Sequence, residues 1–312
     1  MSLFGDDSPL GIGGEKNVQL IDYSQIVLSN IFGVFSPTDV ITPKIVRNII
    51  IDAIRSHVLK NKLEYPNIII AVDSVDGYWR TKIAPYYKKH RQSKKDESEW
   101  NFNAIYDSMN VIRQELIDHL PYKTIYVPGA EADDIFGVMV KYFKERDPAV
   151  KIHITSADGD FTQLQKYTGV RQWNPMHKKW VKPEHGSPER DLLYKIVKGD
   201  TKDGIANIYS PSDLIYTNSL LPKEERVRQK AIGKQLLSSV FLSKDPRNMF
   251  KDEPLLRYNE NEKLLDLSLI PEDLAAKIID QYENFKVAPR GRLTNYFIKS
   301  GIVEMIGKES EF

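Results

Sequence analysis

The chain has 312 residues, 41% of them hydrophobic, which suffices for one large domain or for a large and a small one. It has no cysteine, which excludes disulfides, thiolate zinc sites and cysteine nucleophiles and fits the reducing cytoplasm, and no apolar run approaches the ~18 residues of a membrane span. The net charge is only +1, so a nucleic-acid partner requires that the charges be unevenly placed.

In chain order, residues 1–16 read as a flexible tail. Gly5, Gly11, Gly13 and Gly14 loosen it, and Asp6, Asp7, Glu15 and Lys16 break any signal-peptide core. Gly11-Ile12-Gly13-Gly14 is no dinucleotide loop, since no strand precedes it and the final glycine is missing. Val18-Gln19-Leu20-Ile21 predicts a strand ending at Asp22. Thr42-Pro43 then starts a helix whose apolar face is Ile45, Ile49, Ile50, Ala53 and Ile54. The run Asn67 to Val72 is continuously apolar and ends at Asp73, as buried parallel strands do. After a basic, aromatic stretch come a helix (Phe102, Ile105, Met109, Ile112, Leu116), a strand (Thr124 to Val127) and a helix opened by Glu131, with Ile135, Val138, Met139, Tyr142 and Phe143 on one face. A fourth strand, Lys151 to Thr155, runs into Asp158. Strands alternating with helices predict an α/β fold built on a doubly wound, mostly parallel sheet, with ligands at the carboxyl ends of its strands. From residue 186 to 312 the pattern is helical, interrupted by loops near Ser210-Pro211-Ser212 and from Lys244 to Asp252.

Acids stand where the active edge of that sheet falls: Asp22, Asp73, Glu131-Ala132-Asp133-Asp134 and Asp158-Gly159-Asp160. A fifth group, Gly199-Asp200-Thr201-Lys202-Asp203, follows a helix ending at Lys198, with Gly199 as its terminating residue. Singly, each is ordinary: a cap, a turn, an answer to a helix dipole, a solvated loop charge. Together, nine acids on one edge repel one another and lift each other's pKa values unless a cation intervenes. Hard oxygen donors without cysteine or paired histidines suit Mg²⁺, with Mn²⁺ as a substitute. So many donors exceed what one ion needs. Two ions ~3.5–4 Å apart are a phosphodiester-cutting arrangement.

With those nine acids masked, the remaining charge becomes about +10. Between Arg80 and Lys95 there are seven basic residues and no acid: Arg80, Lys82, Lys88, Lys89, Arg91, Lys94 and Lys95, interleaved with Tyr86 and Tyr87. An isolated run of this kind is usually a solvated loop. This one follows Asp73 directly and so overhangs the acidic edge, where cations track phosphates and rings stack on bases. His177-Lys178-Lys179 with Lys182, Arg226-Arg228-Lys230 and Arg290-Gly291-Arg292 are further basic groups. Trp100, Trp173, Trp180 and the six histidines read as packing or surface residues.

The acidic series, together with Tyr86-Tyr87-Lys88-Lys89, Asp158-Gly159-Asp160-Phe161-Thr162-Gln163-Leu164 and the segment from Trp173 to Lys182, resembles the flap endonuclease / 5′-3′ exonuclease superfamily, in particular its T-even bacteriophage ribonuclease H branch. The likeness runs from about residue 16 to the end. It implies a nuclease α/β domain over residues 17–185 with a basic arch at about 78–100, and a helical DNA-binding subdomain over 186–312. It further implies that Asp22, Asp73, Asp133 and Asp158 surround a first Mg²⁺, supported by Glu131 and Asp134, and that Asp160, Asp200 and Asp203 surround a second. Arg80, Lys88 and Arg91 would act on the scissile phosphate. Tyr86 and Tyr87 would stack on the terminal base, with Lys89, Lys94 and Lys95 holding nucleic acid. The implied activity is Mg²⁺-dependent 5′-3′ exonuclease and flap-endonuclease cleavage, with ribonuclease H activity. Substrates would be DNA and RNA–DNA duplexes with 5′ ends or flaps, as in removing RNA primers and adjacent DNA in lagging-strand replication. The protein would be a monomer without membrane contact, working in the host-cell cytoplasm if phage-encoded, beside a single-strand DNA-binding protein and a sliding clamp. One departure is that Gly204-Ile205-Ala206-Asn207-Ile208-Tyr209-Ser210 stands where much of the family has a glycine hairpin that grips duplex and binds K⁺. Here that hairpin is absent or displaced toward Ile232-Gly233-Lys234.

A PIN-type ribonuclease shares the metal chemistry but is compact and lacks the basic arch. A haloacid-dehalogenase-like phosphatase needs an acid two residues after its nucleophilic aspartate, and here Asp22 is followed by Tyr23 and Ser24. A non-catalytic flap-binding protein would keep buried acids that, without metal, only destabilise it.

Overall fold

The structure, a computed structural model, describes residues 16–312; all of the tail expected over residues 1–16 except Lys16 lies outside the described residues. Short, largely buried strands form the sheet: β1 (Val18–Asp22), β2 (Asn67–Val72), β3 (Lys123–Tyr126) and β4 (Ile152–Thr155). They are joined by β5 (Val170–Asn174) and β6 (Lys179–Val181). The order is β3-β2-β1-β4-β5-β6, parallel throughout except for β6, which returns antiparallel along β5. From β1 the chain winds one way to β2 and β3, then the other way to β4 and β5. The winding therefore reverses between β1 and β4, and the crevice beyond the carboxyl ends of these two strands is where a ligand site belongs. The register places Asp22 beside Ala71 and Ile21 beside Thr155, so β1, β2 and β4 end level there.

Helices cover both faces. On one lie α1 (Tyr23–Val34), α2 (Pro43–Asn61) and α5 (Phe102–His119). On the other lies α6 (Ala132–Arg146), whose Ile135, Phe136, Met139, Val140 and Phe143 are buried against the sheet. Two short helices, α3 (Arg80–Ile83) and α4 (His90–Asp96), carry the basic stretch. Then follow α7 (Pro188–Lys198), α8 (Leu214–Ser219), α9 (Lys234–Leu242), α10 (Asp252–Leu265), α11 (Glu272–Asn284) and α12 (Leu293–Ser300).

Three features differ from the sequence expectation. Helix α1 starts with no intervening loop, because Asp22 both ends β1 and caps the helix, accepting from the Gln25 N–H at 3.0 Å. The buried face of α2 is Val46, Ile50, Ile51, Ile54 and Val58; Ile45 is exposed, because the chain approaches α1 from one residue further round the helix. The hairpin β5–β6 has short, half-polar strands whose apolar and polar residues do not alternate regularly in sequence; it is held by Trp173 against Trp180, ring centroids 5.3 Å apart, and a turn in which Asn174 accepts the N–H groups of Met176 and His177.

Residues beyond the boundary expected at 185–186 pack into the cores on both faces of the sheet. Leu274, Ile278 and Tyr282 of α11 close the core over α6, while Leu293, Tyr296 and Phe297 of α12, with Phe312, close the core under α1, α2 and α5. A third apolar cluster, built from Tyr86 and Tyr87 with residues of α7, α9 and α10, extends the molecule beyond the sheet. Phe297 is fully buried against Phe312, ring centroids 5.3 Å apart. Phe297→Ala should lower unfolding stability by about 3–5 kcal/mol in denaturant titration; a loss below about 1 kcal/mol would show that the carboxyl-terminal helices do not share the core.

Candidate active site

The first acids are placed by strand ends. Asp22 leaves β1 and, besides capping α1, accepts from Ser156 Oγ at 3.0 Å. Asp73 leaves β2 and accepts from Ser24 Oγ at 2.6 Å and from the Ala132 N–H at 2.8 Å, which ties it to the start of α6. Asp133 stands in the first turn of α6. Asp158 leaves β4, accepts from the Asp160 N–H at 3.1 Å and pairs with Lys202 at 2.8 Å. Asp22, Asp73, Asp133 and Asp158 line one cleft of about 330 Å³, with Lys88, Arg91 and Lys202 on its walls.

The second group sits behind it. Helix α7 ends at Gly199, whose φ of 75° and whose would-be Cβ, only 2.3 Å from the Ile205 carbonyl oxygen, admit no side chain. The chain then folds back so tightly that the Asp203 and Ile205 N–H groups both donate to the Asp200 carbonyl, at 3.2 and 2.9 Å. Gly204, with φ 78°, lets His90 approach where a Cβ would lie 2.8 Å from its Nδ1. The result is a closed turn presenting Asp200 and Asp203. Lys195 bonds to Asp160 and reaches Asp200 at 3.1 Å. Asp203 accepts from Arg91 at 2.6 Å and from the Tyr87 hydroxyl at 3.0 Å.

Glu131 and Asp134 form a buried layer underneath. Arg80, 2% exposed, donates to Glu131 at 2.7 Å and pairs with Asp134 at 2.8 Å; Trp79 Nε1 donates to Asp134 at 3.0 Å. Glu131 also receives the Lys88 ammonium and, at 3.1 Å, the Tyr87 hydroxyl. Lys88 has left-handed backbone (φ 57°), a strained state for a residue with a side chain, held by its N–H donating to the Asp203 carbonyl at 2.9 Å.

This geometry corrects part of the expected basic arch. Arg80 is enclosed by two carboxylates and an indole, so it braces Glu131 and Asp134 and offers no face to a phosphate. Tyr86 and Tyr87 are 8% and 3% exposed, packed in the third apolar cluster, with their hydroxyls on Glu260 and on Glu131 and Asp203. Neither ring stands out from the surface as a stacking platform, although Tyr86 borders a cavity with Lys89 and Tyr216. The reason is that the turn carrying them folds down on the Gly199–Ile205 loop, where burial of two rings with satisfied hydroxyls outweighs exposure. Lys89 and Lys94 do remain exposed, while Lys95 lies 4.5 Å above the Tyr106 ring.

The crowded acids are short of positive charge. Burial, followed by repulsion from Asp73, pushes Asp22 up to about 7. Burial and Asp158 push Asp133 well up. Burial and Asp158 also raise Asp160, to about 6, against the pull of Lys195. Burial would raise Asp158 too, but Lys202 and Lys195 outweigh it and hold it at about 2. Asp203 is likewise lowered, because Lys88 and Arg91 outweigh its burial.

Among the described residues, no three acidic or histidine side chains converge as they lie on one ion-sized point. Four of the acids line one cleft and the others lie beside or beneath it, with side-chain cations among them: Lys88 at Glu131, Lys195 at Asp160 and Asp200, Lys202 at Asp158, Arg91 at Asp203. Excess buried negative charge draws in the nearest cations. The donor set is entirely hard oxygen, and acids held as high as Asp22 and Asp160 call for more positive charge than lysines supply, so it fits divalent cations of the Mg²⁺ type.

Sequence reasoning missed Lys195, Lys202, Ser24, Ser156 and Trp79. Lys202 was legible, lying inside the Gly-Asp-x-x-Asp phrase. Lys195 was not: it stands five residues before Asp200 on a helix, and only the reversal at Gly199 brings the two together.

The pattern of the 5′-3′ exonuclease N-terminal, resolvase-like domain matches residues 18–188, and that of the T4 RNase H C-terminal region matches residues 186–312. The ribonuclease H of Enterobacteria phage T4 is 36% identical over 301 residues, 96% of each chain. Among solved structures, the bacteriophage T5 5′-exonuclease with bound zinc aligns with a TM-score of 0.58 at 15% identity, over 86% of this chain and 99% of that one. The T5 flap endonuclease in complex with DNA and metal ions aligns at 0.56 and 17%, over 86% and 100%. These two establish the likeness of fold.

A carboxyl whose folded pKa lies above its unfolded value binds its proton more tightly when folded. Its stabilising contribution is present at low pH and is lost as pH rises from about 4 through about 7 for Asp22. In EDTA, Asp22→Asn should therefore melt a few degrees higher than the parent at pH 8, with the gap closing as pH falls toward 4. A gap that does not change with pH would remove the charge crowding from the account.

Proposed function

The chain belongs to the 5′-3′ exonuclease family, and from that premise we propose that its acidic edge hydrolyses phosphodiesters at 5′ ends and flaps with two bound Mg²⁺ ions. The observation that carries this reading is the meeting of Asp22, Asp73, Asp133 and Asp158 in one cleft at the reversal of the sheet, with Lys88 and Arg91 on its rim. Asp22, Asp73, Asp133 and Asp158 would hold one ion and Asp160, Asp200 and Asp203 the other. Bound there, the metal supplies Lewis acidity and a lowered pKa for attacking water, and Mn²⁺ can substitute.

The protein's own groups do the rest. Ser24 and the α6 amide orient Asp73, and Ser156 orients Asp22, so these carboxylates are aimed before any ligand arrives. Arg80 holds Glu131 and Asp134 rigid beneath them. Lys88 projects from a strained turn into the cleft, where its ammonium can leave Glu131 to meet a phosphate oxygen. Arg91, with 44% of its side chain exposed, stands next along the rim. Exposed Lys89 and Lys94, and the exposed Arg226 and Arg228, extend a positive path for the strand. In the cell this activity would remove RNA primers and adjacent DNA from RNA–DNA and DNA duplexes. A single-strand DNA-binding protein and a sliding clamp would be partners, the chain itself acting as a monomer in the host cytoplasm. No helix among the described residues is long and apolar enough to cross a membrane.

A panel of 5′-labelled flap, nicked and RNA-primed duplexes, with Mg²⁺ or EDTA, tests the reading. Asp158→Asn and Asp203→Asn should each slow cleavage at least about 100-fold, beyond what outer-shell changes cost, with flap binding retained. Mg²⁺-dependent turnover at parental rates in both would refute the metal roles. Flap affinity should also fall steeply with salt as counterions are released, and Lys88→Ala should reduce cleavage more than low-salt binding. A flat salt response, or equal losses in both readouts, would reduce these lysines to ordinary surface charges.

A further inference from the structure

Two side-chain cations at the acidic edge each stand between a pair of buried carboxylates: Lys88, on the cleft wall, between Glu131 and Asp203, and Lys195, behind it, between Asp160 and Asp200. The backbone of Lys195 is fixed: the neighbouring Ile196 and Val197 are buried in the third apolar cluster, and the Ile196 carbonyl accepts from Asn261 Nδ2 at 2.8 Å. Its flexible stem carries the ammonium to Asp160 and on to Asp200, two carboxylates each 7% exposed. Lys202, by contrast, pairs with a single acid and is largely in solvent. Buried carboxylates left without a cation are strongly destabilising, so some positive group must stand there while the protein folds. Yet one ammonium between two carboxylates leaves a net charge of −1, whereas a divalent ion neutralises the pair. On this pair, ammonium and divalent ion together would leave +1, with two cations within a few ångströms of one another; Asp203, the third acid assigned to that ion, is already paired with Arg91.

We propose that Lys195 is the resident counter-cation of the Asp160–Asp200 position, exchanged for the divalent ion rather than coexisting with it. This inference rests on the two-metal reading above and concerns how the second ion gains entry. The ammonium is held by its two ion pairs, and rotation about its side-chain torsions can withdraw it without any backbone movement. The exchange makes Lys195 a positioning residue: it keeps the acids paired and the Asp200–Asp203 turn formed until metal arrives, and it weakens apparent metal affinity by the work of its own displacement. The freed ammonium then adds positive charge beside the cleft, which favours a polyanionic ligand once the ion is bound.

The test is Mn²⁺ titration followed by electron paramagnetic resonance, with melting temperatures in EDTA and in Mn²⁺, on the full chain and on Lys195→Met, Lys195→Gln and Lys195→Arg. Circular dichroism identifies any variant that fails to fold, and the two neutral variants substitute for each other in that event. In the neutral variants the weaker Mn²⁺ site should tighten by about 5- to 150-fold, the fold-change that an ordinary coupling free energy between two bound groups produces. They should also melt lower than the parent in EDTA and gain more from Mn²⁺ than the parent does. Lys195→Arg, which keeps the charge, should stay close to the parent in both measurements. If the parent binds two Mn²⁺ but the neutral variants bind them no more tightly, the exchange is refuted while the two-metal reading stands. If the parent binds no Mn²⁺ at all, the two-metal reading itself falls, and the exchange with it.

Discussion

The structure is organised around burying mutually repelling carboxylates at the one place where the winding of the sheet reverses. Asp22, Asp73 and Asp158 arrive there because each stands at or shortly beyond the end of a buried parallel strand, and parallel neighbours end on the same side. Asp133 arrives because α6 begins at that edge. A carboxylate in such surroundings is tolerable only with compensating charge or hydrogen bonds. The surrounding sequence meets the demand in three ways: serine hydroxyls and backbone amides on Asp22 and Asp73, guanidinium groups on Glu131, Asp134 and Asp203, and lysine ammoniums on Glu131, Asp158, Asp160 and Asp200. The compensation divides by depth. Arg80 is locked away from solvent, as suits a permanent brace, whereas Lys202 and Arg91 are open to it and Lys88 and Lys195 partly so, as suits cations that a ligand can move.

The same demand explains the shape of the segment from Tyr78 to Lys95. A free-standing arch of basic residues would leave the acids beneath it uncompensated. The segment instead lies down on the Gly199–Ile205 turn. Arg91 and Tyr87 reach Asp203, Lys88 adopts a strained backbone, and Gly204 permits the close approach of His90. Strain at Lys88 and close contact at Gly204 are costs concentrated at the site, offset by the apolar cluster around Tyr86, Tyr87, Ile205 and Leu265. Stability and chemistry therefore share residues here, and substitutions in this segment act on both.

The carboxyl-terminal third plays a structural part that a linear division into two domains obscures. Helices α11 and α12 close the two faces of the sheet, so the rigidity that aims Asp73 and Asp133 depends in part on residues more than a hundred positions downstream. Helices α7, α9 and α10 build the third core and hold the Asp200–Asp203 turn against the first acids. Asp200 and Asp203 are thus delivered by a different apolar cluster from the other acids, and the site exists only where the clusters meet.

The sequence alone determined the alternation of apolar strands and periodic helices, and hence the parallel sheet, its active edge and the acids on it. Those features are local: a continuous apolar run followed by aspartate marks a buried strand end whatever else the chain does. The tertiary structure decided which charges meet. That Arg80 braces two acids, that Tyr86 and Tyr87 are core rather than stacking surfaces, and that Lys195 bridges Asp160 and Asp200 follow from contacts between segments far apart in sequence or across a chain reversal. A basic or aromatic residue reads the same in sequence whether it faces solvent or a buried carboxylate. Only packing, which sets the balance of desolvation against pairing, distinguishes the two.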